Sequence, residues 1–357
     1  MKMTFRWFAF GHDSVTLKQI KQIPGMTGVV TSILDIPVGE VWTMEDVTRL
    51  RDEVHAAGLE MEVIESVNVH EDIKLGLPTR DKYIANYIEC IKNLSAVGVK
   101  VLCYNFMPVL DWARSELNYE LPDGSQVLSY RHDKVLEMDP AAMADKTEKD
   151  SLGFELPGWE PARLKEMPRL IEAYKNISED QYFENAKYFL DAVIPAAEKY
   201  GVKMAIHPDD PPWPIFGLPR IMTGRDNVRR YLDLHKSEYN GLTLCSGSLG
   251  ANRNNDIPAM IREFGGEGRI HFVHLRNVIH HEGLDFDESA HLSRLGSLDM
   301  YEIMKALVDI DFKGYIRPDH GRMIWDEVAR PGYGLYDRAL GASYLLGLHE
   351  AIVKGRK

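Results

Sequence analysis

Short runs of apolar residues alternate with longer amphipathic segments along most of the chain. Several of these runs are apolar on both faces, which is typical of parallel strands that are covered by helices. Runs rich in β-branched and aromatic residues predict eight strands: FRWF (5–8), GVVTSI (28–33), LEMEVIES (59–66), VKVLCYNF (99–106), VKMAIHP (202–208), GLTLCSG (241–247), IHFVHLRN (270–277) and GYIRPDH (314–320).

The segments between the runs have the apolar spacing of helices. In residues 43–58, Val47 and Val54 belong to one apolar stripe, Thr43 is the predicted N-cap, and Gly58 ends the segment. Eight strands that alternate with helices predict an α/β protein with a (β/α)8 TIM barrel. An open doubly wound sheet is the alternative, and it is disfavoured because no glycine-rich dinucleotide-binding fingerprint follows the first strand.

The connection between the fourth and fifth predicted strands, residues 107–201, is much longer than the others. It includes the sequence PDG at residues 122–124 between two β-prone flanks, which predicts a hairpin. Insertions that follow barrel strands lie at the C-terminal face, where barrel enzymes build their active sites. We therefore expect one catalytic barrel domain over residues 1–357, with residues 107–180 inserted as a lid or an oligomer contact. An insertion without a functional role is the alternative.

Composition narrows the classes of partner. The net charge of −12 argues against nucleic acid, because phosphate binding requires a basic surface. No run approaches the ~18 apolar residues of a membrane span, and the N-terminus has no apolar stretch of the kind found in signal peptides. The three cysteines are too few and too scattered for a disulfide framework. We expect a protein of the reducing cytoplasm.

Each of the last four predicted strands ends with a side chain that can bind a transition metal. His207 lies in HPDD, Cys245 in TLCSGS, His274 in FVHLRN and Asp319 in RPDH. Strand ends of a barrel converge on one mouth, and imidazole, thiolate and carboxylate together suit a divalent first-row metal. His271 competes for the position on the seventh strand, but it lies three residues away on the opposite face, and His274 is nearer the C-terminal end.

Several longer motifs resemble those of the D-mannonate dehydratase family. They are the opening FRWF, DIPVGEVW, ESVNVHEDIKLG, VLCYNFMPV followed by LDW, and the four strand-end stretches, and the resemblance runs from about residue 3 to about residue 350. It implies a xylose-isomerase-like barrel that converts D-mannonate to 2-keto-3-deoxy-D-gluconate in hexuronate (glucuronate) catabolism. It further implies Mn²⁺ at His207, Cys245, His274 and Asp319. The donor set alone would also accept Fe²⁺ or Zn²⁺.

The implied reaction needs a base for the C2 proton and an acid for the leaving C3 hydroxyl. His320, directly after Asp319, is the first candidate, with support of the metal site as its alternative role. Tyr333, on the glycine-flanked loop after the last strand, is the second, and Tyr336 is the alternative tyrosine. The sequence does not assign which group is the acid and which is the base.

The implied substrate is a polyhydroxylated anion. Arg276 and Asn277 follow His274 and are candidates for binding its carboxylate and a hydroxyl, while Trp7 and Asn105 lie at the ends of their predicted strands as further contacts. The main alternative function is a metal-dependent sugar isomerase or epimerase on the same barrel. A non-catalytic sugar-acid binding protein and a barrel endonuclease fit less well. The family commonly associates, so we expect a homodimer or a higher homo-oligomer.

Overall fold

The computed structural model of the chain describes residues 1–138, 150–151, 153–154 and 161–356. Part of the predicted insertion therefore lies outside the described residues. Within the described part, no helix is both long enough and apolar enough to span a lipid bilayer.

All eight predicted strands are confirmed, and they are β1 Lys2–Arg6, β2 Met26–Thr31, β3 Glu60–Glu65, β4 Val101–Tyr104, β7 Lys203–Ile206, β8 Asn240–Cys245, β9 Ile270–Leu275 and β12 Tyr315–Pro318. They close into one parallel barrel in the order β1-β2-β3-β4-β7-β8-β9-β12. β7 and β12 stop one residue before His207 and Asp319, so these side chains stand at the C-terminal mouth of the barrel.

Helices alternate with the strands along the chain. Among the described residues they are α1 Leu17–Gln22, α2 Met44–Ala56, α3 Glu71–Lys74, α4 Arg80–Ala96, α5 His132–Leu136, α6 Pro161–Tyr174, α7 Glu179–Tyr200, α8 Arg225–Leu234, α9 Ser246–Gly250, α10 Ile257–Met260, α11 Met300–Asp309 and α12 Tyr336–Gly355. A π-helical turn spans Ile261–Gly265, and a 3₁₀ turn spans Ser293–Leu295.

The helix α2 begins as the sequence predicts. The Thr43 hydroxyl accepts a hydrogen bond from the Asp46 backbone N–H, and the Asp46 carboxylate accepts one from the Thr43 N–H in return. This reciprocal cap pairs two backbone donors that a helix start otherwise leaves free. Val47 and Val54 are fully buried against the barrel, as their spacing indicates.

The barrel has two apolar layers. Small and aromatic side chains fill its interior, and the larger layer lies between the strands and the surrounding helices. The interior residues are Val30, Val63, Val101, Cys103, Ala205 and Phe272. Because this interior is packed solid, the polar chemistry is confined to the rim of the barrel.

The hairpin predicted around residues 122–124 is confirmed by the antiparallel strands β5 Glu116–Glu120 and β6 Gln126–Tyr130. β6 also pairs with β11 Phe286–Ser289, which pairs with β10 Asn277–His280, so a second sheet has the order β10-β11-β6-β5. This sheet joins the insertion to the connection that follows β9. The insertion is thereby attached next to the ends of the barrel strands.

Candidate active site

The four predicted metal ligands lie together at the barrel mouth. His207 Nε2 is 3.2 Å from His274 Nδ1, and Cys245 Sγ is 3.5 Å from Asp319 Oδ2. Ligand atoms of the two histidines and the cysteine all lie within 4.8 Å of one another, and Asp319 Oδ1 is 3.8 Å from His274 Nδ1. Four strand ends thus supply two nitrogens, one sulfur and one carboxylate to one small volume.

In each histidine one ring nitrogen faces away from the cluster (the outer nitrogen) and one faces into it (the inner nitrogen). A proton on the outer nitrogen leaves a lone pair on the inner one. His207 Nδ1 lies 2.7 Å from the Pro208 carbonyl oxygen, which can only accept, so this nitrogen carries the proton. His274 Nδ1 lies 3.4 Å from Nη2 of Arg317, which can only donate, so the proton of this ring is on Nε2, 3.2 Å from a carboxylate oxygen of Glu65. Burial lowers the pKa of His274 to about 4 and also lowers that of His207, so both rings are neutral. Each ring therefore directs a lone pair into the cluster.

The remaining two ligands also fit a cation. Burial raises the pKa of the Cys245 thiol to about 12, while the backbone N–H and the hydroxyl of Ser248 both donate to its sulfur, at 3.3 and 3.1 Å. Burial opposes ionisation of Asp319, but the guanidinium of Arg317 2.9 Å away helps to hold its pKa well below the usual range. The donor set therefore comprises two histidine lone pairs, a sulfur that accepts two hydrogen bonds and a carboxylate. Such a set suits a divalent first-row ion.

His320 and Tyr333 form a hydrogen-bonded pair beside this cluster. The Tyr333 hydroxyl is 3.0 Å from His320 Nε2, and His320 Nδ1 lies 2.8 and 2.9 Å from the two carboxylate oxygens of Glu288. Burial raises the pKa of Tyr333 to about 12, so its hydroxyl is a donor at neutral pH. The alternative tyrosine, Tyr336, is 40% exposed and packs against Trp325.

Four buried side chains of alternating charge surround the pair. Asp210 accepts hydrogen bonds from Arg114 and Arg276, and Glu288 accepts from the same two arginines. Burial opposes ionisation of Glu288, yet His320, Arg276 and Arg114 lower its pKa to about 2. Arg276, predicted to bind the substrate carboxylate, is thus engaged by two carboxylates of the protein itself.

A cavity adjoins the four ligand-type side chains and the pair His320 and Tyr333. Its lining includes five of the residues singled out from the sequence, Asn105, His207, Asp319, His320 and Tyr333, together with Arg6, Glu65, Ser66, Asp111, Trp112, Asp210 and Arg317. Residues from the barrel strands and from the insertion therefore share one wall.

Two predicted substrate contacts are placed elsewhere. Trp7 belongs to the hydrophobic core, and its neighbour Arg6 lines the cavity, because successive side chains at the end of a strand face opposite ways. The Asn277 amide donates to the backbone carbonyls of Leu292 and Leu298, so it stabilises the connection after β10. His271, set aside in favour of His274, lies at a separate cavity together with residues such as Lys313.

Three charged residues of the site carried little signal in the sequence. Asp210 directly follows the HPD of the first strand-end stretch and could have been found there. Arg114 and Glu288 lie in connections outside the barrel strands, and they meet only because β6 and β11 pair. Local patterns do not reveal such an encounter.

Comparison with known proteins agrees with this geometry. The family model described as D-mannonate dehydratase (UxuA) matches residues 1–357. A mannonate dehydratase of Thermotoga neapolitana is 59% identical over 354 residues, which cover 99% of this chain and 98% of that protein. The crystal structure of a mannonate dehydratase from Streptococcus suis serotype 2 superposes with a TM-score of 0.91 at 48% identity, covering 100% of this chain and 96% of that one.

A more distant structure shows the fold alone. A xylose isomerase domain protein from Planctomyces limnophilus superposes with a TM-score of 0.55 at 12% identity, covering 99% of this chain and 98% of the other. The two chains therefore share the barrel fold.

Proposed function

This chain belongs to the D-mannonate dehydratase family and is a hydro-lyase that converts D-mannonate to 2-keto-3-deoxy-D-gluconate, and we propose that it does so with one Mn²⁺ held by His207, Cys245, His274 and Asp319. The observation that carries the proposal is the convergence of the ligand atoms: those of His207, Cys245 and His274 lie within 4.8 Å of one another, and the inner histidine nitrogens are 3.2 Å apart. A cation bound by both nitrogens would relieve the repulsion between their lone pairs. Fe²⁺ and Zn²⁺ suit the same donors, so metal analysis is part of the test.

The reaction removes a weakly acidic proton from C2 and a hydroxyl from C3. When bound, the ion supplies a positive charge that stabilises the negative charge developing on the substrate as the C2 proton leaves. The protein must supply a base for that proton, an acid for the C3 oxygen, and contacts that hold the substrate in place.

We assign the proton transfers to His320 and Tyr333. Because Glu288 accepts the proton of His320 Nδ1, the Nε2 lone pair is free to accept from the Tyr333 hydroxyl. One member of the pair takes the C2 proton, and the other gives a proton to the departing C3 hydroxyl, which leaves as water. The enol that remains becomes the 2-keto acid by losing its hydroxyl proton and gaining one at C3, with no net change in protons. Transfer across the 3.0 Å hydrogen bond then restores both groups, so the cycle needs no proton from outside.

Arg317 and Asn105 are proposed to hold the substrate. Both line the cavity, and Nε and Nη1 of Arg317 have no hydrogen-bond partner among the described residues. A buried guanidinium with free donors suits the carboxylate or a hydroxyl of a sugar acid. Arg276, by contrast, lies 3.2 Å from Asp319 and supports that ligand.

The insertion is proposed to act as a lid. Trp112 lines the cavity, and Arg114 binds Asp210 and Glu288 beneath it. We further propose that the enzyme works in the cytoplasm as a homodimer or a higher homo-oligomer. Trp325 and Val328, 69% and 70% exposed, offer apolar surface for such a contact, and sedimentation of the purified protein tests it.

The deciding experiment is an assay of chelated protein before and after addition of Mn²⁺. We expect no 2-keto-3-deoxy-D-gluconate from the chelated protein and restored product with about one ion bound per chain. Fe²⁺ and Zn²⁺, added separately, rank the metals, and an aldose serves as the control substrate for isomerase activity. Full turnover of D-mannonate by metal-free protein would refute the metal proposal.

A further inference from the structure

Glu288 lies on β11, outside the barrel, yet its carboxylate reaches the catalytic histidine. Both of its oxygens are within 2.9 Å of His320 Nδ1, on the side of the ring opposite Tyr333. We propose that Glu288 is a positioning residue for the dehydration, which holds His320 with its Nε2 lone pair directed at Tyr333, and that the insertion holds Glu288 through Arg114. This inference rests on the roles proposed for His320 and Tyr333.

The neighbours of His320 Nδ1 explain why the carboxylate is needed. Besides Glu288, the polar group nearest to this nitrogen is Nη1 of Arg276, 2.6 Å away. A guanidinium only donates, so by itself it would favour an unprotonated Nδ1 and move the proton to Nε2. Two carboxylate oxygens at hydrogen-bond distance favour the opposite tautomer, because an unprotonated Nδ1 would set lone pair against lone pair. With Nε2 protonated, His320 could not accept from the Tyr333 hydroxyl.

Glu288 is itself held rigidly. One of its oxygens accepts hydrogen bonds from Arg114, at 2.7 Å, and from Arg276, at 2.5 Å. Asp210 binds the same two arginines, and every member of this set is at most 3% exposed. Buried charges of alternating sign that hydrogen-bond to one another stay in one arrangement, since moving any one of them leaves another unpaired.

Arg114 connects this arrangement to the insertion. It lies between β4 and β5, directly before the hairpin, and reaches Glu288, which is 174 positions further along the chain. β6 of the hairpin pairs with β11 itself, with Tyr130 opposite Phe286. The hairpin therefore fixes both the strand that carries Glu288 and the charge that orients its carboxylate.

The test is the Glu288→Gln variant, which keeps the shape of the side chain and removes its charge. We expect kcat to fall roughly 10- to 100-fold, as for other residues that orient a catalytic group, with KM within about threefold of wild type. Bound metal should stay at the wild-type level. The matched control is Asp287→Asn on the same strand, whose carboxylate pairs with Arg131 and His281 outside the cavity. That variant should keep the wild-type kcat.

A double-mutant cycle separates positioning from a merely structural role. If Glu288 acts through His320 on Tyr333, then adding Glu288→Gln to a Tyr333→Phe protein should lower kcat by less than about threefold more. Losses that multiply would overturn the proposal, and so would a wild-type kcat in Glu288→Gln itself. Arg114→Lys, which replaces a forked donor by a single one, is the second variant, and it should show a smaller loss with the same dependence on Tyr333. Turnover of D-mannonate by the wild type is measured in the same series. If the wild type is active, a negative result counts against this proposal alone, and if it is inactive, the proposed function itself has failed.

Discussion

His207 and His274 direct unprotonated ring nitrogens at each other across 3.2 Å. A backbone carbonyl accepts from the other nitrogen of His207, and the Nδ1 of His274 faces an Arg317 donor at 3.4 Å while its Nε2 lies 3.2 Å from the Glu65 carboxylate. Ligating histidines in metalloproteins are oriented in the same way. A cation bound between the rings would stabilise this pair, so we expect metal binding and the stability of the barrel mouth to be linked.

Cys245→Ala tests that linkage. Loss of one ligand from four should lower bound metal and turnover together, and Mn²⁺ should raise the melting temperature of the variant less than that of wild type. Metal content, activity and thermal unfolding are the measurements. The control is Cys90→Ala, which removes another buried cysteine that lies on α4, outside the cluster. A Cys245→Ala protein with full metal and full activity would remove the residue from the ligand set.

His320→Asn should separate chemistry from metal binding. The four proposed ligands remain, so we expect metal content at the wild-type level. Turnover should fall roughly 10²- to 10⁴-fold, which is the usual contribution of a general acid or base. Single-turnover kinetics on metal-loaded protein would show the effect in the chemical step. Unchanged turnover would show that His320 is not the acid or the base, and would leave it only a role in supporting Asp319.

Tyr333→Phe and Tyr336→Phe form a matched pair. The Tyr333 hydroxyl is buried against His320, whereas Tyr336 is 40% exposed. Removal of the first hydroxyl should lower kcat by a factor similar to that for His320→Asn, since the two groups share a proton. Removal of the second should leave kcat within about twofold of wild type. Equal losses in both variants would contradict the assignment.

Gly247→Ala should disrupt the site without touching a ligand. A Cβ at this position would lie 2.0 Å from Nε of Arg276, and the contacts of Arg276 with Asp210, Glu288 and Asp319 leave it no room to move. We expect a loss of about 1–3 kcal/mol in the free energy of unfolding and a lower kcat. Urea unfolding and steady-state kinetics measure both.

The matched control for that variant is Gly347→Ala on α12, where a Cβ meets no atom within 4 Å. An added methyl group in an open helical position should keep or raise stability by up to about 1 kcal/mol. If the two variants behaved alike, the close approach of Arg276 to Gly247 would have no energetic consequence.

Acid should destabilise the wild type more than Glu288→Gln. The pKa of Glu288 falls from 4.5 to about 2 on folding, mainly because His320, Arg276 and Arg114 outweigh the effect of burial. The unfolded chain therefore binds more protons between these values, and the stabilisation, complete above pH 4.5, is lost as the pH falls toward 2. Between pH 6 and pH 3 the wild type should lose about 2 kcal/mol more than the variant, measured by urea unfolding. Parallel losses would contradict the lowered pKa.

Much of the fold and the convergence of the four strand-end side chains were predicted because both depend on local pattern plus one rule of topology. Eight apolar runs and the helices between them specify a barrel, and the carboxyl ends of its strands must meet. His207, Cys245, His274 and Asp319 each follow from their position at a strand end. The hairpin around residues 122–124 was predicted in the same way, from turn residues between β-prone flanks.

The finer contacts were less accessible because a shift of one residue turns a side chain to the other face. Trp7 was expected at the cavity, but the structure places its neighbour Arg6 there. Asn277 was expected to bind substrate, but its amide is used by the backbone of the following connection. Side-chain direction at the end of a strand depends on where the strand stops, and sequence patterns locate that point only approximately.

The sequence by itself determined the barrel, the strand-end ligands and the pair His320 and Tyr333 as candidates. Only the tertiary structure decided how these groups are held. Glu288 and Arg114 come from connections far apart in the chain, and they meet because β6 pairs with β11. Neither segment has a residue pattern that predicts this contact, because the contact forms only when folding brings two distant charges into the same buried, low-dielectric environment.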